Sequence, residues 1–555
     1  MASTRDSLDV DETDALLEQQ PSLDNPFTPE SADEAGPSGS DDGLVAQAEE
    51  LIEELSNAKL ASVFVSLYMG VFLAALDGTI VATLLAHIAS EFDEMRNVSW
   101  IATAYLIACA AFQPLYGKLT DIFGRKPGLV FASLSFGLGC FVCGIAGNLW
   151  VLVAGRVISG IGGGGLYALS TITLSDLVPL RKRGVLQGVG NILFGTGAAL
   201  GGVFGGLMTS AFGWRWAFLV QVPFIAVSTL AIVFALKLPQ PTQAAGRLLR
   251  VDFLGSFTLV VSLVLFLFAV AVGGNQLPWT HPVVVVSLPL SALIMGAFVY
   301  IERYVAKEPV IPVELLADRT IFGASFTNWF MTMSVYSILY YLPIYVIAVK
   351  GVSETTAGVA LISNFVGVAA GSFASGVYMR NTGRYYMIAM VSAVSFVFGV
   401  ALICTFGRNT SYTAVLFWTL FPGAGYGALL TITLIALIAA VPQKFQAVTT
   451  SIQYGFRGTG STIGVALSSA VFQNVLLRRL HEHIQGHNAD AVIDRIMNSV
   501  EEVRRLPLYL QPTVIGAYLA ACRAVFVMCL VLGVCAGVSA MLMREHTLHN
   551  TLGRK

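Results

Sequence analysis

From Leu60 onward the chain repeats apolar stretches about 20 residues long, and nothing else in it constrains the fold as strongly. A helix of about 20 apolar residues crosses the hydrocarbon core of a bilayer, which is roughly 30 Å thick. Such stretches lie near 60–85, 98–117, 128–147, 150–174, 186–208, 216–237, 253–273, 282–302, 321–348, 356–378, 386–406, 413–440, 447–475 and 517–541. They predict about 14 spans, numbered here in chain order; the one starting at Ile321 is long enough to be tilted or broken. Only 12% of the 555 residues are charged, against about 25% in a soluble domain. So few charges cannot coat a soluble surface of this size. Soluble enzymes, nucleic-acid binders and secreted disulfide scaffolds are excluded, and an all-α polytopic membrane protein is expected.

Charge placement orients the spans. Of 34 acids, 16 fall within residues 1–58, against a single Arg5, so the remainder carries 18 acids and 31 Lys+Arg. The tail 1–58, rich in Asp, Glu, Ser and Pro, is expected to be disordered, with an acidic amphipathic helix or a solvated stretch over 44–55. It lacks a cleavable signal pattern. Alternate short loops hold Lys118/Arg125/Lys126, Arg181/Lys182/Arg183, Lys237/Arg247/Arg250, Arg303/Lys307/Arg319, Arg380/Arg384 and Lys444. The opposite set holds little beyond Arg96, Arg215, Lys350 and Arg408. The basic set is therefore expected to be cytoplasmic, with both termini. The hydrophilic segment 478–512 and the sequons at Asn97 and Asn409 then lie on the far side. All seven cysteines sit in apolar stretches, and Cys140-x-x-Cys143 lacks a neighbouring acid or His, so buried thiols are expected rather than a metal or redox site.

A repeat is hidden in the glycines. Gly117, Gly124 and Arg125 recur as Gly376, Gly383 and Arg384, each 259 positions later. Gly160, Gly162, Pro179, Gly195, Gly197 and Gly201 recur as Gly423, Gly425, Pro442, Gly458, Gly460 and Gly464, each 263 later. These pairs match spans 2–5 with spans 10–13 and leave spans 7 and 8 as an insertion. Two parallel six-helix halves are a transporter architecture, with substrate bound at their midplane interface. The expected organisation is a tail 1–58, a bundle 59–238, a linker 239–320 with two extra helices, a bundle 321–541 and a tail 542–555.

Gly117-Lys-Leu-Thr-Asp121-Ile-Phe-Gly124-Arg125-Lys126 is expected in a short loop, with Asp121 accepting backbone N–H groups at a helix start and Arg125 within reach of Asp176. This pattern resembles the major facilitator superfamily signature G-x-x-x-D-x-x-G-R-[KR]. Leu76-Asp77-Gly78-Thr79-Ile80-Val81, Arg156-x-x-x-Gly160 and Trp214-Arg215-Trp216 resemble its 14-span drug:proton antiporter branch. Gly197-x-x-x-Gly201-Gly202-x-x-Gly205-Gly206 is similar to the antiporter motif of that branch, departing at Gly202 where Pro is usual. Physically, these glycines permit close packing of span 5 on a neighbour. Trp100-Ile-Ala-Thr-Ala-Tyr-Leu-Ile, Ala111-Phe-Gln-Pro-Leu-Tyr-Gly117 and Gly160-Ile-Gly-Gly-Gly-Gly-Leu166 resemble fungal vacuolar basic amino acid transporters. The resemblance covers about residues 60–475. It implies a major facilitator fold with 14 transmembrane helices, in two six-helix bundles plus two inserted helices. It further implies exchange of lysine, histidine or arginine for protons across the vacuolar membrane.

Intramembrane charges carry the mechanism. Asp77 lies deep in span 1, where a lone charge costs roughly 2.5–3.5 kcal/mol and needs a partner, water or a proton. Arg156 of span 4 falls at similar depth. The two form either a static brace or a site where Asp77 alternates between a proton and a cationic substrate. Burial favours the protonated carboxyl and a cation favours the carboxylate, so the two guests compete. Arg457, mid-span where the first half has Phe194, is a candidate for a substrate carboxylate. Asn191, Asn328, Asn364, Gln453 and Tyr454 are polar candidates whose alternative is helix–helix hydrogen bonding.

In the tail, Glu12-x-x-x-Leu16-Leu17 matches an acidic dileucine signal for a sorting adaptor. His481, His483 and His487 are read as solvated rather than as a metal site, and no cofactor is expected. No G-x-x-x-x-G-K-[ST] loop occurs, which argues against an ATP-driven pump. The expectation is a monomeric secondary antiporter for a small cationic substrate and protons. Its rivals are a plasma-membrane exporter of drugs or toxins and a non-transporting nutrient sensor.

Overall fold

The computed structural model describes residues 57–92, 100–236, 250–274, 276–352, 354–484, 492–493, 496–497, 507 and 510–548. The stretch 44–55, Glu12, Leu16, Leu17, Asn97 and His487 lie outside the described residues. Fourteen spans follow in order: Asn57–Phe92, Trp100–Phe112 with Leu115–Phe123, Arg125–Gly144, Leu149–Leu177, Leu180–Phe212, Trp214–Leu219 with Gln221–Ala235, Phe253–Val272, Pro282–Tyr304, Arg319–Lys350, Glu354–Thr382, Tyr386–Cys404, Tyr412–Ala439, Gln446–His483 and Gln511–Ala540. Thirteen are long and apolar enough to cross a membrane, span 6 with a short break at Val220, and the remaining one, span 2, is broken at Gln113-Pro114. Pro114 offers no N–H to the carbonyl four residues back, and Pro223 does the same in span 6. Span 9, long enough to break, instead runs unbroken for 32 residues.

The basic motif is not a loop. Helix Leu115–Phe123 carries Gly117 and Asp121, and Gly124 alone separates it from span 3. Gly124 has φ 97, a backbone region that only glycine enters freely, and its repeat partner Gly383 has φ 70. The helix outlasts the apolar stretch because hydropathy ends at the bilayer surface whereas backbone hydrogen bonding does not. We call the membrane face at Gly124 the near side and the opposite face the far side.

The glycine repeat is a repeat of contacts. A methyl at Gly117 would stand 2.5 Å from the Ala447 carbonyl oxygen of span 13, and one at Gly376 would stand 2.5 Å from that of Gly184 in span 5. Gly160 packs on the Tyr105 carbonyl and Gly423 on that of Asn364. Gly201 packs on the Leu76 carbonyl and Gly464 on that of Met333. The Gly160/Gly423 and Gly201/Gly464 pairs each mark an approach made once within each six-helix half, and the Gly117/Gly376 pair marks one made twice between the halves. Residues 263 apart also touch each other: Arg183 donates to Gln446 Oε1 at 2.9 Å, and the Arg457 guanidinium lies 4.6 Å from the Phe194 ring centre. Equivalent residues meet only on a two-fold axis, so these pairs mark where it runs between spans 5 and 13.

The inserted helices lean on one seam of this pair. In span 7, Phe268 stacks on Trp100 of span 2 at 5.4 Å, and Leu267 packs with Ile107, Ala110 and Ile463, the last from span 13. Near-side charges clasp the insertion: Glu308 accepts from Lys118 Nζ at 2.9 Å and from Arg250 Nε at 2.6 Å. The Arg250 hydrogen bond, then that of Lys118, holds the Glu308 carboxyl below the ordinary glutamate range despite partial burial. A depressed carboxyl stabilises the fold above its unfolded value and loses that contribution only as pH falls through the folded one. Glu308→Gln is therefore expected to cost about 1 kcal/mol or less at neutral pH, the groups being partly solvated. The difference between wild type and variant should start to shrink as pH falls below about 4.3, the ordinary glutamate value, and vanish only below the lowered folded one; a difference unchanged down to about pH 2 refutes the assignment.

Candidate functional site

Asp77 and Arg156 meet inside the first half, toward the far side. Arg156 Nη1 lies 2.6 Å from Asp77 Oδ2, Nη2 donates to the Asp77 carbonyl at 3.3 Å, and Nε donates to the Ile101 carbonyl at 3.1 Å. Gln221 Nε2 approaches Asp77 Oδ1 at 3.5 Å, and the Tyr105 ring lies under the guanidinium at 4.2 Å. Both side chains are 0% exposed. A buried ion pair survives only when its remaining donors and acceptors are met, as here. In the second half the contacts that match Leu76 with Met333 and Gly160 with Gly423 place Ser334 and Thr419 at these positions. The pair therefore breaks the symmetry of the two halves.

A separate small cavity lies between the halves, lined by Gln187, Asn191, Asn328, Gln453, Tyr454 and Arg457, with Leu430 and Leu434. It has room for roughly one water. A larger solute requires spans 5, 12 and 13 to part. Asn191 and Tyr454 are spent on holding the halves together: Asn191 Nδ2 donates to Ser372 Oγ at 2.8 Å, and the Tyr454 and Thr171 hydroxyls lie 2.6 Å apart. Gln453 Nε2 donates to Thr433 Oγ1 at 2.8 Å, and its Oε1 has no partner among the described residues. Arg457 has neither carboxylate nor hydrogen-bond acceptor there; its contacts are the Phe194 ring and, at 5.9 Å, the Tyr454 ring. A guanidinium with no acceptor among the described residues has N–H groups chemically suited to an anion.

The near-side motif forms a charge cluster. Arg125 Nη1 lies 2.6 Å from Asp121 Oδ1, Nε lies 2.8 Å from Asp176 Oδ2, and Nη1 also donates to Thr120 Oγ1 at 2.9 Å. Asp121 ends a helix rather than starting one, so its carboxylate pairs with Arg125 instead of capping N–H groups. Lys126 stands half-buried beside it. Along span 5, Gly197, Gly201 and Gly205 press on span 1: methyls there would meet the Phe72, Leu76 and Ile80 carbonyl oxygens at 2.6, 2.6 and 3.0 Å. Gly202 and Gly206 lie off this seam. A methyl at Gly202 would make only ordinary contact and one at Gly206 would meet open space, because the i, i+4, i+8 positions alone share a helix face.

Asn409 is exposed in the far-side turn after span 11. Cys140 and Cys143 are buried free thiols. Sequence reasoning singled out Asp77 with Arg156 and, among the residues that line the cavity, Asn191, Asn328, Gln453, Tyr454 and Arg457; Asn364 lies outside that lining. It missed Gln187 and Gln221, which intramembrane polarity alone could have flagged, and Tyr426, whose buried hydroxyl has no partner among the described residues and neighbours Arg457. Nothing in the sequence distinguishes that tyrosine from a packing one.

Thirteen membrane-length helices with a broken fourteenth, arranged as two halves about a polar midplane cavity, define a major facilitator transporter. The profile of the Major Facilitator Superfamily matches residues 67–464, and the chain belongs to that family. Among curated relatives, the multidrug resistance protein fnx1 of Schizosaccharomyces pombe is 38% identical over 90% of this chain and 96% of its own. The vacuolar membrane amino acid uptake transporter fnx2 of the same yeast is 36% identical over 89% and 86%. The efflux pump dotC of Dothistroma septosporum is 33% identical over 75% and 72%. The human organic anion transporter MFSD10 has the same fold, with TM-score 0.55 at 15% identity over 86% of this chain and 99% of that one. The chain is a multi-pass membrane transporter, not an enzyme.

Proposed function

We propose that the protein is a proton-coupled antiporter that moves lysine, histidine or arginine across a fungal vacuolar membrane by alternating access between its halves. The observation that carries this reading is Arg457, a guanidinium without an acceptor among the described residues, aimed into the central cavity. It suits the carboxylate common to all amino acids, and the likeness to fnx2 supports the cargo class and the membrane. The near side is then the cytoplasm, with both termini there. The Arg125 cluster with Gly117 acts as the conformational gate, and the Gly197–Gly205 seam as its antiporter packing. Asp77 is the proton carrier: it accepts a proton when a cation leaves it and releases that proton when the cation returns, Arg156 being the cation that holds it here. Tyr105 under Arg156 neighbours Tyr167, and Tyr167 packs edge-on to Phe194 at 5.5 Å, against Arg457. This contiguous packing offers a physical route between the two charged sites. Glu12, Leu16 and Leu17 would bind a sorting adaptor.

The test is uptake of labelled lysine, arginine and histidine into proteoliposomes with and without a pH gradient. Gradient-dependent uptake is expected, falling at least tenfold in Arg457→Ala while a melting curve shows that the variant is folded. Uptake indifferent to the gradient, or unchanged by the substitution, overturns the reading. The names of fnx1 and dotC favour a second reading, plasma-membrane efflux of drugs or toxins. A cell-surface signal from the tagged intact protein, rather than a vacuolar one that Leu16/Leu17→Ala disperses, would select it.

A further inference from the structure

We propose that the central cavity grips both α-groups of an amino acid at once: Arg457 takes the carboxylate, and the side-chain oxygens of Asn328 and Gln453 take the α-ammonium. This rests on the cavity being the substrate site. Asn328 is 0% and Gln453 4% exposed, and the Oδ1 of one and the Oε1 of the other have no donor among the described residues. Their amide orientations follow from their other ends. Asn328 Nδ2 donates to the Gln453 carbonyl at 3.2 Å. Gln453 Nε2 donates to Thr433 Oγ1, whose own proton goes to the Leu429 carbonyl at 2.8 Å. The two free atoms are therefore carbonyl-type acceptors. Buried acceptors are nearly always satisfied, so two left bare in one cavity call for a donor from outside the chain. Arg457 supplies the complement: its guanidinium carbon lies 4.6 Å from the Phe194 ring centre and 5.9 Å from that of Tyr454, and no hydrogen bond among the described residues occupies its N–H groups, which suit a bidentate carboxylate. Gln453 and Arg457 are four residues apart on one helix face, a single turn. A receptor for an anion and a receptor for an ammonium, one turn apart on one cavity wall, matches the two charges on one α-carbon. The lining described contains no acid, so the cationic end of a basic side chain is not what this pair of receptors reads.

The experiment is competition against labelled lysine uptake in proteoliposomes holding the full chain. The competitors are lysine, 6-aminohexanoate, which lacks only the α-amino group, and cadaverine, which lacks only the carboxylate. Both analogues are expected to inhibit at least tenfold more weakly than lysine. Gln453→Met should weaken lysine at least tenfold and leave 6-aminohexanoate unchanged, a selective loss that general damage to the fold would not produce. Inhibition by either analogue on a par with lysine, or a Gln453→Met effect equal for lysine and 6-aminohexanoate, overturns this assignment and leaves amino acid transport standing. Absence of both lysine uptake and a lysine-induced melting shift overturns the transport reading as well.

Discussion

Asp77→Ala or Arg156→Ala alone is expected to destabilise the protein by about 3–5 kcal/mol, because each leaves the other charge buried without its partner. The double variant Asp77→Asn/Arg156→Gln removes both charges and retains the shape, so most of that loss should be recovered. Melting in detergent, followed by tryptophan fluorescence, checks the order: either single variant far below the double. The double variant also separates brace from proton carrier. If Asp77 exchanges its cation for a proton, the folded double variant loses gradient-driven uptake while still exchanging labelled amino acid across equal pH. A correctly inserted double variant that still follows the gradient would make the pair a brace and move proton coupling elsewhere. Sealing at 0% exposure favours neither outcome alone, since a carrier must also be closed in one of its states.

Gly117→Val is expected to abolish most transport with little loss of folded protein. A β-carbon there meets the Ala447 carbonyl at 2.5 Å and Ser451 Oγ at 2.6 Å, a near-side contact between the halves rather than a contact within one. The clash therefore penalises the state in which the near side is closed, not the bundle itself. Gly376→Val repeats the clash on the Gly184 carbonyl across the other seam, and the two substitutions should act alike. A penalty of about 3 kcal/mol on one state shifts a balanced two-state equilibrium more than a hundredfold. Ser451→Cys reports the result: an impermeant maleimide applied from the near side should label it faster when Gly117→Val is present. Equal labelling, with transport intact, would mean that the backbone yields and the seam is no gate.

Much of this was legible in the sequence because the bilayer reduces the problem. Each span needs about 20 apolar residues whatever it packs against, so number, order and alternation followed from hydropathy, save at Gly124, where helix outlasts the apolar stretch. The glycine repeat was legible because close helix approach excludes side chains, and exclusion leaves glycine in register. Asp77 and Arg156 were legible because charge inside a membrane is rare.

What the tertiary structure alone decided is which polar groups are spent and which are spare. Asn191, Gln453, Tyr454 and Arg457 look alike as polar interruptions of apolar helices. Only packing shows that Asn191 and Tyr454 bond across the halves, while Gln453 Oε1 and Arg457, on residues lining a cavity, have no hydrogen-bond partner among the described residues. Likewise only packing separates Gly197, Gly201 and Gly205, on the seam, from Gly202 and Gly206 beside it. Hydropathy is a property of each residue and its near neighbours along the chain. Whether a donor finds an acceptor depends on helices far apart in sequence, which meet only when the two halves close.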